Sequence, residues 1–186
     1  MGSGGYEMRM EKAFVTQAVD GAVALLGTMG RAAFDALRDP RGPFYFYDTY
    51  VFVTSDAGVE RVNPAFPTIE GQSLIDVRDA QGKYLVRDYL AAAREKGAAW
   101  VSYYWPRPGT QEPVQKQTYV RRIQVDGQWL VVGAGMYAPV PAVPKVERPG
   151  ALKVAVLHVG PISDHGWTYE GHQGAVAMAT APWWPS

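Results

Sequence analysis

Two runs rich in β-branched and aromatic residues, Val114 to Val125 and Gln128 to Tyr137, are separated by nothing but Asp126-Gly127. Asp-Gly between such runs closes a two-residue hairpin, because both positions tolerate the left-handed backbone of a type I′ turn. A third run, Ala99 to Trp105, precedes them closely enough to extend an antiparallel ribbon. Upstream, Phe44 to Thr54 is aromatic and β-branched, Ser55-Asp56-Ala57-Gly58 is a turn, and Val59 to Asn63 is a short returning strand. Pro64 and Pro67 open a loop, and Asp79-Ala80-Gln81-Gly82 leads into a helical stretch from Tyr84 to Lys96 that stops at Gly97. Five strands with few crossovers predict an antiparallel sheet, not a parallel one.

In front of these strands, apolar residues recur at helical spacing from Glu7 to Leu37, through Phe14, Val15, Ala18, Val19, Ala22, Leu25, Leu26, Met29, Ala33 and Phe34. Gly27 and Gly30 each cost about 1 kcal/mol inside a helix, which predicts a break near them. Asp39-Pro40-Arg41-Gly42-Pro43 ends the helical region. The predicted architecture is α+β, a long N-terminal helix packed on a five-stranded antiparallel sheet. Dimerisation through the stripe is the alternative to packing on the sheet.

Composition excludes several functions. Eighteen Lys plus Arg balance eighteen Asp plus Glu, so neither a nucleic-acid surface nor a polybasic membrane anchor has an electrostatic footprint. The chain has no cysteine, and His158, His165 and His172 come late and scattered, reading as loop histidines rather than a metal cluster. No nucleophile elbow, phosphate-binding glycine loop or HExxH occurs, and Asp76, Asp79 and Asp88 are spaced as a loop and a helix cap need. The reading is not an enzyme, with no cofactor. Met1-Gly2-Ser3-Gly4-Gly5 is set aside as an appended tag. With no run of eighteen apolar residues, any membrane attachment is expected from segments absent from this chain. Pro139, Pro141, Pro144 and Pro149 mark a linker over 138–150.

Tyr50-Val51-Phe52-Val53 with Asp56-Ala57-Gly58, then Asn63-Pro64-Ala65-Phe66-Pro67, Glu70-Gly71 and Asp79 to Gly82, resemble a single Cache domain. Tyr103-Tyr104-Trp105-Pro106-Arg107-Pro108-Gly109, Lys116-Gln117-Thr118-Tyr119 and Val132-Gly133-Ala134-Gly135-Met136-Tyr137 continue the series in order. The resemblance covers the strand region, and the preceding helix extends the domain to 6–137. It implies a PAS-like sheet in a periplasmic or otherwise extracytoplasmic sensor, of the kind used in bacterial signal transduction, chemotaxis or transport. Such a sensor binds a small molecule and passes the signal through its helix.

A second resemblance begins at Leu152. Lys153 to Gly160, followed by Pro161-Ile162-Ser163-Asp164-His165-Gly166-Trp167-Thr168-Tyr169, is similar to the opening strand, loop and helix of the basic membrane protein family. That family consists of periplasmic substrate-binding proteins of ABC transporters. The tail Ala181-Pro182-Trp183-Trp184-Pro185-Ser186 departs from it, and 151–186 is expected to be a truncated or vestigial start of such a domain, too short to bury a two-lobed core.

The Cache resemblance directs attention to Lys116, which lies in a strand among aromatic segments. A buried ammonium is unfavourable unless it meets an anion, so the lysine either anchors a carboxylate or faces solvent. Tyr103 and Trp105 share one strand face, with Tyr104 on the other; Tyr50 and Phe52 share another. Tyr119 is a further candidate, and each ring serves a pocket or plain packing. Asn63 before Pro64 is a ligand contact or a turn former. Gly133 and Gly135 leave space on one face of the last strand, for a ligand or for a packed element. The expected ligand is a small organic acid such as acetate, propionate, lactate or pyruvate, held by Lys116, Tyr103, Trp105, Tyr50, Phe52, Asn63 and Tyr119. An interaction or dimerisation module with an empty pocket is the competing function.

Overall fold

Helix α1 spans Ser3–Met29 in the computed structural model, which describes residues 3–138. Ser3 to Gly5, set aside above as a tag, therefore lie in its first turn. The break falls at Gly30, whose φ of +60° ends the helix, while Gly27 stays helical. One 3₁₀ turn, Gly30–Ala32, then leads to α2, Ala33–Arg38. By length and composition the stretch Glu11–Arg38 is apolar enough to cross a membrane. That departs from the expectation of no such segment; here its stripe of Val15, Val19, Ala22, Leu26, Ala33 and Leu37 is buried on the sheet.

The expected single strand Phe44–Thr54 is divided. Tyr45–Phe46 (β1) and Thr49–Tyr50 (β2) pair as a separate ribbon, and only Phe52–Ser55 (β3) joins the main sheet. The cause is Tyr47, whose φ of +62° turns the chain back. Glu60–Val62 (β4), helix α3 at Leu85–Lys96, and the long strands β5 (Ala98–Pro106), β6 (Pro113–Val125) and β7 (Gln128–Tyr137) follow. All pairings are antiparallel and the order is β4-β3-β7-β6-β5, the expected five-stranded α+β sheet. Asp126 and Gly127 turn at φ +48° and +75°, as a type I′ hairpin demands.

The sheet separates two apolar layers. On one side α1 and α2 cover Val51, Val53, Val62, Leu130, Val132 and Ala134. On the other, Leu85, Val86, Tyr89, Leu90 and Ala93 of α3 cover Phe52, Tyr103, Val120 and Val131. The second layer holds the site. The linker beyond Ala138 and the resemblance at 151–186 lie outside the described residues.

Candidate functional site

A cavity of about 20 Å³ lies between α3, the loop after β4 and the second sheet face. Its wall includes Tyr50, Phe52, Asn63, Tyr103, Trp105 and Lys116, six of the seven residues expected from the sequence. Tyr119 is not among them. It sits one residue from Thr118, on the opposite face, packed toward α1 with its ring 5.5 Å from that of Trp100. In a strand the odd spacing from Lys116 puts it there.

Lys116 is 1 % exposed, near the start of β6. Its ammonium lies 4.0 Å from the centre of the Tyr50 ring and 4.9 Å from that of Tyr137. No Asp or Glu oxygen among the described residues lies within 4.0 Å of it. Burial pushes its pKa down to about 7, against the pull of Asp48 and Glu60. Cation–π contact supplies part of the lost hydration, on the order of 2 kcal/mol for a desolvated pair. A buried cation with aromatic neighbours and no carboxylate in direct contact can receive an anion in chemical terms.

The sequence reading missed Glu60, which is 2 % exposed and lines the same cavity. Its Oε2 accepts from Thr54 Oγ1 at 2.7 Å, and its Oε1 accepts from Asn63 Nδ2 at 2.7 Å. Burial raises its pKa to about 7, with those two hydrogen bonds and Lys116 acting the other way. Glu60 reaches this face through a register shift. Val53 pairs with Val62 but Thr54 pairs with Glu60, so Arg61 is the extra residue and the two inward side chains of β4 face opposite layers. Asn63 is a turn former, since its Oδ1 accepts from Phe66 N at 3.0 Å, and its side chain also lines the cavity. Tyr89 and Tyr137 are the other unforeseen neighbours, the first 2.8 Å from Thr54 Oγ1 and the second donating to Pro106 O at 2.6 Å. Tyr103 accepts from Thr118 Oγ1 at 3.0 Å. Burial keeps its phenol, like those of Tyr50, Tyr89 and Tyr137, protonated well beyond the ordinary range.

The space over the two glycines of β7 is occupied by neighbouring side chains. A Cβ on Gly133 would stand 2.4 Å from Phe52 Cζ, and one on Gly135 would stand 2.8 Å from Lys116 Cε. Gly133 thus seats the aromatic ring of the pocket, and Gly135 lets the lysine stem cross the sheet. Gly133→Ala is expected to lower the thermal midpoint by about 3–10 °C through overpacking. Gly27→Ala, in a helix position with nothing within 4 Å, serves as the control and is expected to raise it. Equal midpoints for Gly133→Ala and the wild type would show that the ring can move aside at no cost.

Among the described residues no group of three His, Asp or Glu is placed to hold a metal ion. The site holds one buried cation, one buried carboxyl, phenol hydroxyls and apolar walls, an arrangement suited to holding a small anion.

A family model described as a Cache domain (dCache_2) matches residues 28–138. The methyl-accepting chemotaxis protein McpP of Pseudomonas putida is 33% identical over 142 residues, 71% of this chain and 26% of the relative. The chain thus spans about a quarter of that curated relative. A Cache chemosensory domain whose structure is described as the basis for carboxylic acid recognition superposes with a TM-score of 0.61 at 26% identity, covering 74% of this chain and all of the other. The periplasmic sensor domain of a chemotaxis protein superposes at 0.55 and 29% identity, covering 71% and 92%.

Proposed function

The chain belongs to the Cache-domain family, and on that premise we propose that it is an extracytoplasmic, ligand-binding sensor domain for a small monocarboxylate. The observation that carries this reading is Lys116, an ammonium buried to 1 % exposure in a cavity wall, with no Asp or Glu oxygen of the described residues within 4.0 Å of it. An acetate-like ligand supplies a counter-charge in direct contact, closer than Asp48 or Glu60, and Tyr50 and Tyr103 supply rings and hydroxyls around it. The relative described as recognising carboxylic acids, and the chemotaxis receptors among the relatives, support it. On this reading the domain serves signalling rather than catalysis, and its ligand-bound state is passed on through α1.

The cavity sets the size of the acid. At about 20 Å³ it holds one or two water-sized atoms, since roughly 10–15 Å³ is needed for each. Only a short acid enters with small side-chain shifts. A ligand of four heavy atoms gains at most about 1.5 kcal/mol per atom, so dissociation constants of tens of micromolar or weaker are expected. Calorimetric titration with acetate, propionate, lactate, pyruvate and a longer aliphatic acid checks this, and the longest is expected to bind worst. No heat and no thermal stabilisation from any of the short acids would overturn the reading.

The exposed rings favour one second reading, an interaction or dimerisation module. Phe14 of α1 meets Phe46 of the β1–β2 ribbon edge-on at 5.5 Å, and both are largely exposed. Sedimentation of the chain with and without acid separates the two, because an assembly surface acts whether or not the pocket is filled.

A further inference from the structure

We propose that Glu60 is a specificity-determining residue that takes up a proton as the ligand binds, so that the pocket accepts a short monocarboxylate together with one proton and rejects a second anionic group. This rests on the carboxylate reading of the pocket and goes beyond it by assigning the second polar wall.

Charge balance is the first argument. Glu60 and Lys116 line one cavity and are both buried, and no Lys, Arg or His nitrogen among the described residues lies within 4.0 Å of the Glu60 carboxyl. In the empty pocket the ammonium and the carboxylate offset each other at longer range. An arriving carboxylate puts two negative charges against one positive charge in a medium where each unbalanced charge is strongly unfavourable. A proton on Glu60 restores the balance. It comes from solvent, and the only bond made is the carboxyl O–H.

The hydrogen-bond geometry accommodates that proton. With Glu60 ionised, Thr54 Oγ1 donates to Oε2 and the Tyr89 hydroxyl donates to Thr54. With Oε2 protonated, its O–H donates to Thr54 Oγ1, and Thr54 turns to donate to Tyr89; the Thr54–Tyr89 contact is satisfied in either sense. Asn63 Nδ2 donates to Oε1 in both states. A fixed donor at Oε2 would have locked the ionised form, and a pair of rotatable hydroxyls does not.

The other ionisable groups around the pair are engaged elsewhere or buried as neutral phenols. Tyr50, Tyr103, Tyr137 and Tyr89 are buried phenols held neutral. Asp48 is paired with Arg107, and Glu70 accepts from Arg38 Nε at 2.9 Å and from Asn63 N at 2.6 Å. Glu60 and Lys116 remain, both brought to about 7 by burial.

The test uses the full chain with propionate labelled with carbon-13 at its carboxyl, which separates ligand bands from protein bands in infrared difference spectra at about pH 8, above the neutral range in which Glu60 titrates. The wild type is expected to gain the unlabelled carbonyl band of a protonated carboxyl on binding, and Glu60→Gln to bind without it. Lys116, also brought to about 7, regains its proton on binding in both proteins, so calorimetry in two buffers of different ionisation heat is expected to count more protons in the wild type than in Glu60→Gln, the excess being the proton of Glu60. At that pH the variant is expected to bind several-fold more tightly, because ionised Glu60 weakens binding by up to about tenfold per pH unit. If Glu60→Gln does not fold, the wild-type band and proton count decide alone. Propionate binding without the band, or with equal proton counts in both proteins, would overturn the proposal. Failure of every short acid to bind is a different outcome: it removes the carboxylate reading, and this inference with it.

Discussion

Lys116→Met is expected to raise the unfolding temperature while weakening short-acid binding roughly ten- to a hundredfold, the range for losing a hydrogen bond to a charged group. The two effects have one cause. An ammonium held among Tyr50, Phe52 and Tyr137 has lost most of its hydration, and without a ligand the aromatic faces return only part of that. Methionine fills the same length of cavity and places its sulfur against the rings instead. A gain of about 1–4 kcal/mol, or roughly 3–15 °C, follows from replacing a buried charge by an apolar group of similar volume. The comparison belongs below pH 6, because Glu60 is then protonated and is not left as an unbalanced charge. Denaturation curves and acid titrations on both proteins check it. A variant that is less stable under those conditions, with its acid affinity intact, would show that Lys116 is structural and lies outside the ligand site.

The parts of the fold that could be read from the sequence are those where local chemistry has one solution. Asp126-Gly127 demanded a tight hairpin, Gly97 takes the positive φ that ends α3, and the stripe through Val15, Val19, Ala22 and Leu26 could only be buried on one face. Failures arose where an unusual residue did a turn's work. Tyr47 adopts the left-handed region without being Gly, Asn or Asp, so nothing in Phe44 to Thr54 announced that the strand would fold back.

The site divides the same way. Alternation along β5 put Tyr103 and Trp105 on one face, whereas Lys116 was singled out by the family resemblance and joins them through the β5–β6 register, which pairs it with Tyr103; its odd spacing from Tyr119 puts that ring on the other face. Glu60 shows where pattern reasoning stops. Its parity with Val62 marked it as inward-facing, a visible signal, yet strict alternation would have put both on the α1 side. Only the extra residue at Arg61 swings Glu60 to the pocket, and that shift is fixed by pairing with β3, a contact no local sequence pattern encodes. Tyr89 likewise enters the pocket, and Tyr137 reaches Lys116 behind it, through packing between distant elements.

The stability of the ligand-free protein is expected to carry a contribution from the pocket that is least favourable near neutral pH. Glu60 has its pKa raised from 4.5 to about 7, so what it contributes is fully present below 4.5 and is lost as pH rises through 7. Lys116 has its pKa lowered from 10.5 to about 7, so its contribution is present above 10.5 and is lost as pH falls through 7. Both groups therefore oppose folding most strongly where both are ionised. At about 1.4 kcal/mol per pKa unit, the acid limb spans on the order of 3 kcal/mol and the alkaline limb somewhat more, with their mutual attraction making the minimum shallower. Other ionisable groups shape the raw curve, so the measurement is the difference between the wild type and the double variant Glu60→Gln with Lys116→Met, across urea titrations from acid to alkaline pH. That difference is expected to dip around pH 7, and each single variant to abolish one limb. Saturating propionate is expected to fill the dip, since a ligand at a hundred times its dissociation constant stabilises by about 2.7 kcal/mol, comparable to the limb itself. A flat difference curve would mean that the two groups are ionised in the folded protein as freely as in water. The pocket would then store no electrostatic tension for a ligand to relieve.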